Sequence, residues 1–223
     1  MTEQYTREVK HYAFGPLVTV QTIHPDLLKT MKQLARVAKR EKHRHNKYLA
    51  GLIAEEYRFK LEDNKKVAAM FGPHIDEYIK QGMTYSGGDY RQLLEDGAAV
   101  LQGTWVNYMK AGEFNPPHTH GGLISMILYL DVPELIDQSA KEVEGNTLPG
   151  AVSFRWGENQ PLSINLAAAA PKTGELYIFP AHVEHQVTPF YVDCTRISVS
   201  SNWEIGDKKH GDGFVVTTDE GEK

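Results

Sequence analysis

From Val100 onward the chain breaks into short runs of β-forming residues separated by turn chemistry. That period-two texture leaves few architectures open. Thr104 to Tyr108 is rich in β-formers, and Leu123 to Leu130 is a nearly continuous apolar run, so both read as buried strands. Strands are expected near 102–110, 117–120, 123–131, 151–156, 162–166, 174–179, 185–190 and 194–204. Eight short strands after a helical half predict an α+β fold with a double-stranded β-helix core. This cupin-like jelly roll carries a ligand site in its mouth.

Residues 1–99 read as an N-terminal strand and helices packing on that barrel, 100–205 as the core and 206–223 as a polar tail. Ala13 to Thr22 predicts a strand. Pro25-Asp26 opens a helix, because proline is tolerated in a first turn and an acid complements the dipole there. Leu27, Met31, Leu34 and Ala38 share one face of it, through about Arg44. A second helix is expected over Ala50 to Phe59, a third from Asn64 with an interruption at Gly72-Pro73, and a short helical turn at Tyr90 to Glu95. Ala167 to Pro171 reads as a connector, and Glu134 to Gly150 as an active-site lid or a disordered loop.

Two segments carry the chemistry: Tyr108 to His120 and Gly174 to Asn202. In extended backbone His118 and His120 point to one face, with Thr119 opposite, so two imidazoles can reach one metal ion. His185 is the best third ligand, with His182 a weaker competitor. Iron oxygenases keep three protein ligands on one face of the octahedron and leave the rest open. Arg196, Ser198, Ser200 and Asn202 alternate along one strand face, opposite Ile197 and Val199. An inward arginine is costly unless paired. Its planar fork fits a carboxylate, and the hydroxyl of Ser198 can share that carboxylate.

The ordered set Tyr108, Gly112, His118-Thr119-His120, Tyr129-Leu130, Gly174, Phe179, His185-Gln186-Val187 and Arg196 resembles the 2-oxoglutarate/Fe(II) dioxygenase superfamily. Its prolyl-hydroxylase-like branch is the most similar, over roughly Leu101 to Ile205, and the surrounding text resembles a subgroup from bacteria and bacteriophages. The resemblance implies Fe(II), 2-oxoglutarate and O2 as cofactors, with hydroxylation of a C–H bond and release of succinate and CO2. It implies that His118 and His185 ligate iron and that Arg196, with Tyr108 and Tyr129, holds the cosubstrate. Arg196-Ile197-Ser198 matches a recurrent Arg-x-Ser cosubstrate motif. One position departs: relatives carry a carboxylate where His120 stands. Three neutral imidazoles leave the metal more electrophilic than two imidazoles and a carboxylate would.

Three other readings stay open. One is a cupin-like three-histidine metalloenzyme that uses no 2-oxoglutarate. Another is a non-catalytic barrel used as an interaction module. A halogenase-like layout has His120 as first ligand and Gly122 in the carboxylate position. A net charge of −5 and a pI near 6.1 argue against general nucleic-acid binding, although Lys29 to Lys47 is locally basic. The primary substrate is expected to be a protein side chain or a small metabolite, and a homodimer stays open. Cys194, the single cysteine, excludes an intrachain disulfide and suits a reducing cytoplasm, the host's for a phage protein. The N-terminal residues do not read as a signal peptide, and no apolar run approaches the ~20 residues of a membrane span.

Overall fold

A computed structural model describes residues 15–44, 51–88, 97–140 and 148–207. Two antiparallel sheets form the jelly roll. The strands are β1 (Thr19–Thr22), β2 (Glu56–Arg58), β3 (Gly97–Lys110), β4 (Asn115–His118), β5 (Ile124–Asp131), β6 (Val152–Arg155), β7 (Leu166–Ala169), β8 (Glu175–Pro180), β9 (Glu184–Val187) and β10 (Thr195–Asp207). The major sheet runs β1-β8-β5-β10-β3-β2 and the minor sheet β4-β9-β6-β7. The helices are α1 (Pro25–Glu41), α2 (Leu61–Ser86) and α3 (Glu134–Ala140).

The outer face of the major sheet is closed by α1 and α2. Leu101, Val106, Tyr108, Leu128, Leu130 and Val199 pack there against Met31, Leu34, Phe71 and Ile75. Full burial of a side chain such as Phe71 contributes roughly 1.5–3 kcal/mol. Between the sheets, Ile127, Tyr129, Val152, Phe154, Tyr177 and Phe179 form a second cluster. The helix start at Pro25 is as expected: the His24 side chain caps it by accepting from the Asp26 N–H.

Several expectations are corrected. The segment expected as a helix over Ala50 to Phe59 carries the edge strand β2, with Glu56 opposite Asn107 and Tyr57 opposite Val106. Tyr57 and Phe59 enter the core while Glu56 faces the other way, so period two prevails over helical spacing. Gly72-Pro73 does not interrupt α2. Phe71, Gly72 and Ile75 are buried around it, and this packing offsets the lost backbone bond. The strand expected at 162–166 is shifted: the Ala-rich segment taken for a connector is itself β7, with Ala169 opposite Val152. Small side chains suffice on this edge, while Leu162, at φ 64°, and Ile164 project from the preceding turn. Glu134 to Ala140 of the expected lid is helical, and 141–147 lie outside the described residues. So do the expected turn at Tyr90 to Glu95, Ala13 and Phe14 of the first expected strand, and the tail beyond Asp207.

Candidate active site

His118 on β4 stands directly opposite His185 on β9, so the sheet register alone brings these two imidazoles together. His120 lies just past β4, and its backbone N–H donates to the Ala181 carbonyl (2.9 Å), which turns its ring onto the same spot. Ring centroids of His118 and His185 are 4.2 Å apart, those of His118 and His120 4.9 Å, and those of His120 and His185 5.0 Å. One ligand atom from each of the three lies within 4.8 Å of the others. His182 is exposed and lies against Trp156, away from the cluster.

Hydrogen bonds orient two of these rings. Nδ1–H of His118 donates to the Pro116 carbonyl (2.7 Å) and Nδ1–H of His185 to the Val183 carbonyl (3.0 Å). Each leaves its Nε2 as the unprotonated nitrogen, the one that would ligate a metal. The Asn115 amide approaches Nε2 of His118 at 3.3 Å. Burial lowers the His118 pKa, outweighing the effect of the Pro116 carbonyl. Burial and the neighbouring imidazoles lower His120 to about 3 and His185 to about 4. Three neutral, converging imidazoles form a donor set suited to a divalent transition metal.

Across the cavity, the inward face of the major sheet supplies an arginine. Arg196 is 2% exposed. Its Nη1 donates to the Gly150 carbonyl (2.6 Å) and its Nη2 to Met109 Sδ (2.9 Å), and Cζ lies 5.3 Å from the Tyr129 ring centroid. Gly150 has φ 66°, and a Cβ there would sit 3.1 Å from the Ile136 side chain, so glycine is needed to present that carbonyl. Arg196 Nε and the Tyr129 hydroxyl are buried without hydrogen-bond partners. No described carboxylate neutralises the guanidinium, and burial lowers its pKa. A buried cation with an idle donor beside an idle hydroxyl is a fitting seat for a carboxylate.

The register extends this seat into a row. Tyr129 is opposite Ser198, Ser198 opposite Asn107, and Asn107 opposite Glu56, across β5, β10, β3 and β2. All four line one cavity of about 260 Å³, together with Arg196, Ser200, Asn202, Trp105, Asn115 and the three histidines. Tyr108 is different. It stands opposite Ile197, on the sheet face that packs against α1, and its hydroxyl donates to the Ala35 carbonyl (3.2 Å). The expected cosubstrate role of Tyr108 is therefore corrected: side chains alternate, and Trp105, Asn107 and Met109 occupy the inward positions of β3. Gly122 does not line the cavity. Its φ of 84° and the approach of the Trp203 carbonyl, 2.9 Å from a built Cβ, account for the glycine without any role in holding a halide. Glu56, Trp105, Asn107 and Asn115 were not singled out from sequence. Of these, Asn107 left a signal, a polar residue between the buried Val106 and Tyr108.

Residues 103–202 match the family model described as "Putative 2OG-Fe(II) oxygenase". No curated protein matches the chain. Among solved structures, a Pseudomonas putida prolyl-4-hydroxylase is similar at 16% identity and TM-score 0.50, covering 84% of this chain and 91% of that one. A viral collagen prolyl hydroxylase from Paramecium Bursaria Chlorella virus-1, solved with 2OG, is 13% identical at TM-score 0.52, covering 83% and 94%. A Trichoplax adhaerens prolyl hydroxylase in complex with a hypoxia inducible factor peptide fragment is 13% identical at TM-score 0.51, covering 86% and 84%. At these identities the structures speak to the jelly-roll fold, while the family match spans the strands that carry all three histidines and the arginine. Over residues 103–202 the chain is thus similar to the 2OG-Fe(II) oxygenase family, and its jelly roll is similar to those of the prolyl hydroxylases.

Proposed function

We propose that His118, His120 and His185 hold Fe(II), and that Arg196, with Tyr129 and Ser198, binds the far carboxylate of 2-oxoglutarate. The overall change is R–H + O2 + 2-oxoglutarate → R–OH + succinate + CO2. The observation that carries this reading is the unpaired Arg196 guanidinium, buried in the same cavity as three neutral imidazoles. Bound iron and cosubstrate supply the oxidising power. The chain's own residues orient and exclude water. Pro116 and Val183 carbonyls fix the tautomers of His118 and His185. Gly150 and Met109 hold the guanidinium in place, and Phe179 packs edge-on to His185 at 4.8 Å. A cosubstrate carboxylate would complete the bonding of Arg196 Nε and the Tyr129 hydroxyl, both idle in its absence.

The test is an anaerobic titration with Fe(II) and then 2-oxoglutarate. A weak visible charge-transfer band should grow to one equivalent of each, and O2 should then release succinate. Tight Fe(II) binding without any band on adding 2-oxoglutarate would favour the three-histidine enzyme that uses no 2-oxoglutarate.

A further inference from the structure

Glu56 is 1% exposed, and its Oε2 has no hydrogen-bond partner. It lines the same cavity as the imidazoles and the guanidinium. No ion pair joins it to a cation among the described residues, and burial alone raises its pKa, to about 7. Beside it, directly across the β2–β3 ladder, Asn107 also carries a buried, unpartnered oxygen, Oδ1. Asn115 Oδ1, in the same lining, is a third.

Glu56 lies at the end of the polar row away from Tyr129, with Asn107 between it and Ser198. The strand that carries Arg196, β10, and the strand that carries Glu56, β2, are two strand spacings apart, roughly 10 Å at ~4.8 Å per strand, and Tyr129 lies one spacing further. A five-carbon dicarboxylate seated on Arg196 and Ser198 reaches the middle of the row, which leaves Glu56, at its end, for the primary substrate. Leaving a buried acceptor unpaired costs about 1–3 kcal/mol, and more if it is charged. The molecule that fills this end must therefore bring donors.

We propose that Glu56, with Asn107 beside it, is the specificity-determining site for the primary substrate, and that this substrate carries a cationic nitrogen, an ammonium or guanidinium group. The cavity is then a matched pair of seats. A buried cation at one end takes the anionic cosubstrate, and a buried carboxyl at the other takes the cationic substrate. A peptidyl proline ring has no N–H and would leave the Glu56 carboxyl idle, so the proposed specificity differs from that named for the prolyl hydroxylases of similar fold. Trp105, also in the lining, offers an aromatic surface beside the same end. The inference rests on the oxygenase reading for its chemistry, but the seat itself is read by binding.

The experiment is calorimetry on the metal-free protein with n-butylammonium and its neutral isostere n-butanol, repeated on Glu56→Gln. Wild type should bind the ammonium at least tenfold more tightly than the alcohol, and E56Q should lose that preference. Asn107→Ala should weaken ammonium binding severalfold. A wild type that binds both probes alike, or neither, overturns the proposal, and so does a preference that survives in E56Q. The chelate band with Fe(II) and 2-oxoglutarate, measured separately, should form normally in E56Q. Its absence from wild type and variant alike would sink the cosubstrate reading and leave the ammonium result standing.

Discussion

At the scale of single residues, the candidate site makes sharp demands. Replacing His118 or His185 by Ala removes a whole ligand, while even the loss of a supporting hydrogen bond can cost ~10–100-fold in metal affinity. Each variant should bind Fe(II) at least tenfold more weakly by equilibrium titration. His182→Ala should change little, because that ring lies outside the cluster. His120→Asp should keep a metal site and shift the chelate band, since a carboxylate gives the iron more negative charge than an imidazole does. His120→Ala with affinity and band both unchanged, together with a chloride-sensitive wild type, would revive the halogenase-like layout. Arg196→Ala should keep the metal and lose roughly 30- to 1,000-fold in 2-oxoglutarate affinity, about 2–4 kcal/mol. Arg196→Lys should rescue only part of this, because an ammonium lacks the planar fork. Tyr108→Phe should leave cosubstrate affinity untouched, since its hydroxyl serves Ala35 on the far side of the sheet. It should cost only about 0.5–1.5 kcal/mol of stability by urea denaturation. A large cosubstrate defect in that variant would restore the sequence-based role.

Elements position these residues, and β2 shows how. Glu55, just before it, takes Lys39 of α1 at 2.5 Å and Lys110 of β3 at 2.6 Å. Hydrogen bonds from Lys110 and Lys39 lower its pKa from 4.5 to about 2. The folded state therefore binds this proton less readily than the unfolded chain does. The stabilisation is present above about pH 4.5 and is lost as pH falls from there toward 2. Glu55→Gln should lower the melting temperature at pH 7 and flatten its decline between about pH 4.5 and 2. Equal slopes for wild type and variant would show that the triad does not anchor the strand. The anchor has functional weight, because β2 carries Glu56 to the cavity.

At the scale of the whole molecule, the candidate site lies between two sheets, and its lining residues come from both. His118 and His185 sit in the minor sheet, Arg196 and Tyr129 in the major sheet. Ligands that bridge them should stabilise the folded state by mass action, about 2.7 kcal/mol at a hundredfold excess over the dissociation constant. For a chain of this size that is a rise of roughly 5–10 °C in melting temperature. Fe(II) alone and Fe(II) with 2-oxoglutarate should give successive rises in wild type, and only the first in Arg196→Ala. No helix among the described residues is long and apolar enough to cross a membrane.

How much of this was legible depends on range. Short-range signals decided the jelly-roll class, because alternation and turn residues are local. They also decided the face shared by Arg196, Ser198, Ser200 and Asn202, and the pairing of two histidines two residues apart. The start of α1 followed from Pro25 and Asp26 for the same reason. Three outcomes needed the tertiary structure. Whether Tyr108 or Asn107 faces the cavity turns on a one-residue parity, and the ladder that puts Met109 opposite Arg196 fixes it. The poor strand formers of 167–169 pair because β6 presents an edge there, which no local propensity encodes. Glu56 gained its place only when β2 docked on β3, since burial and a missing partner are properties of the assembled sheet rather than of a glutamate in a sequence.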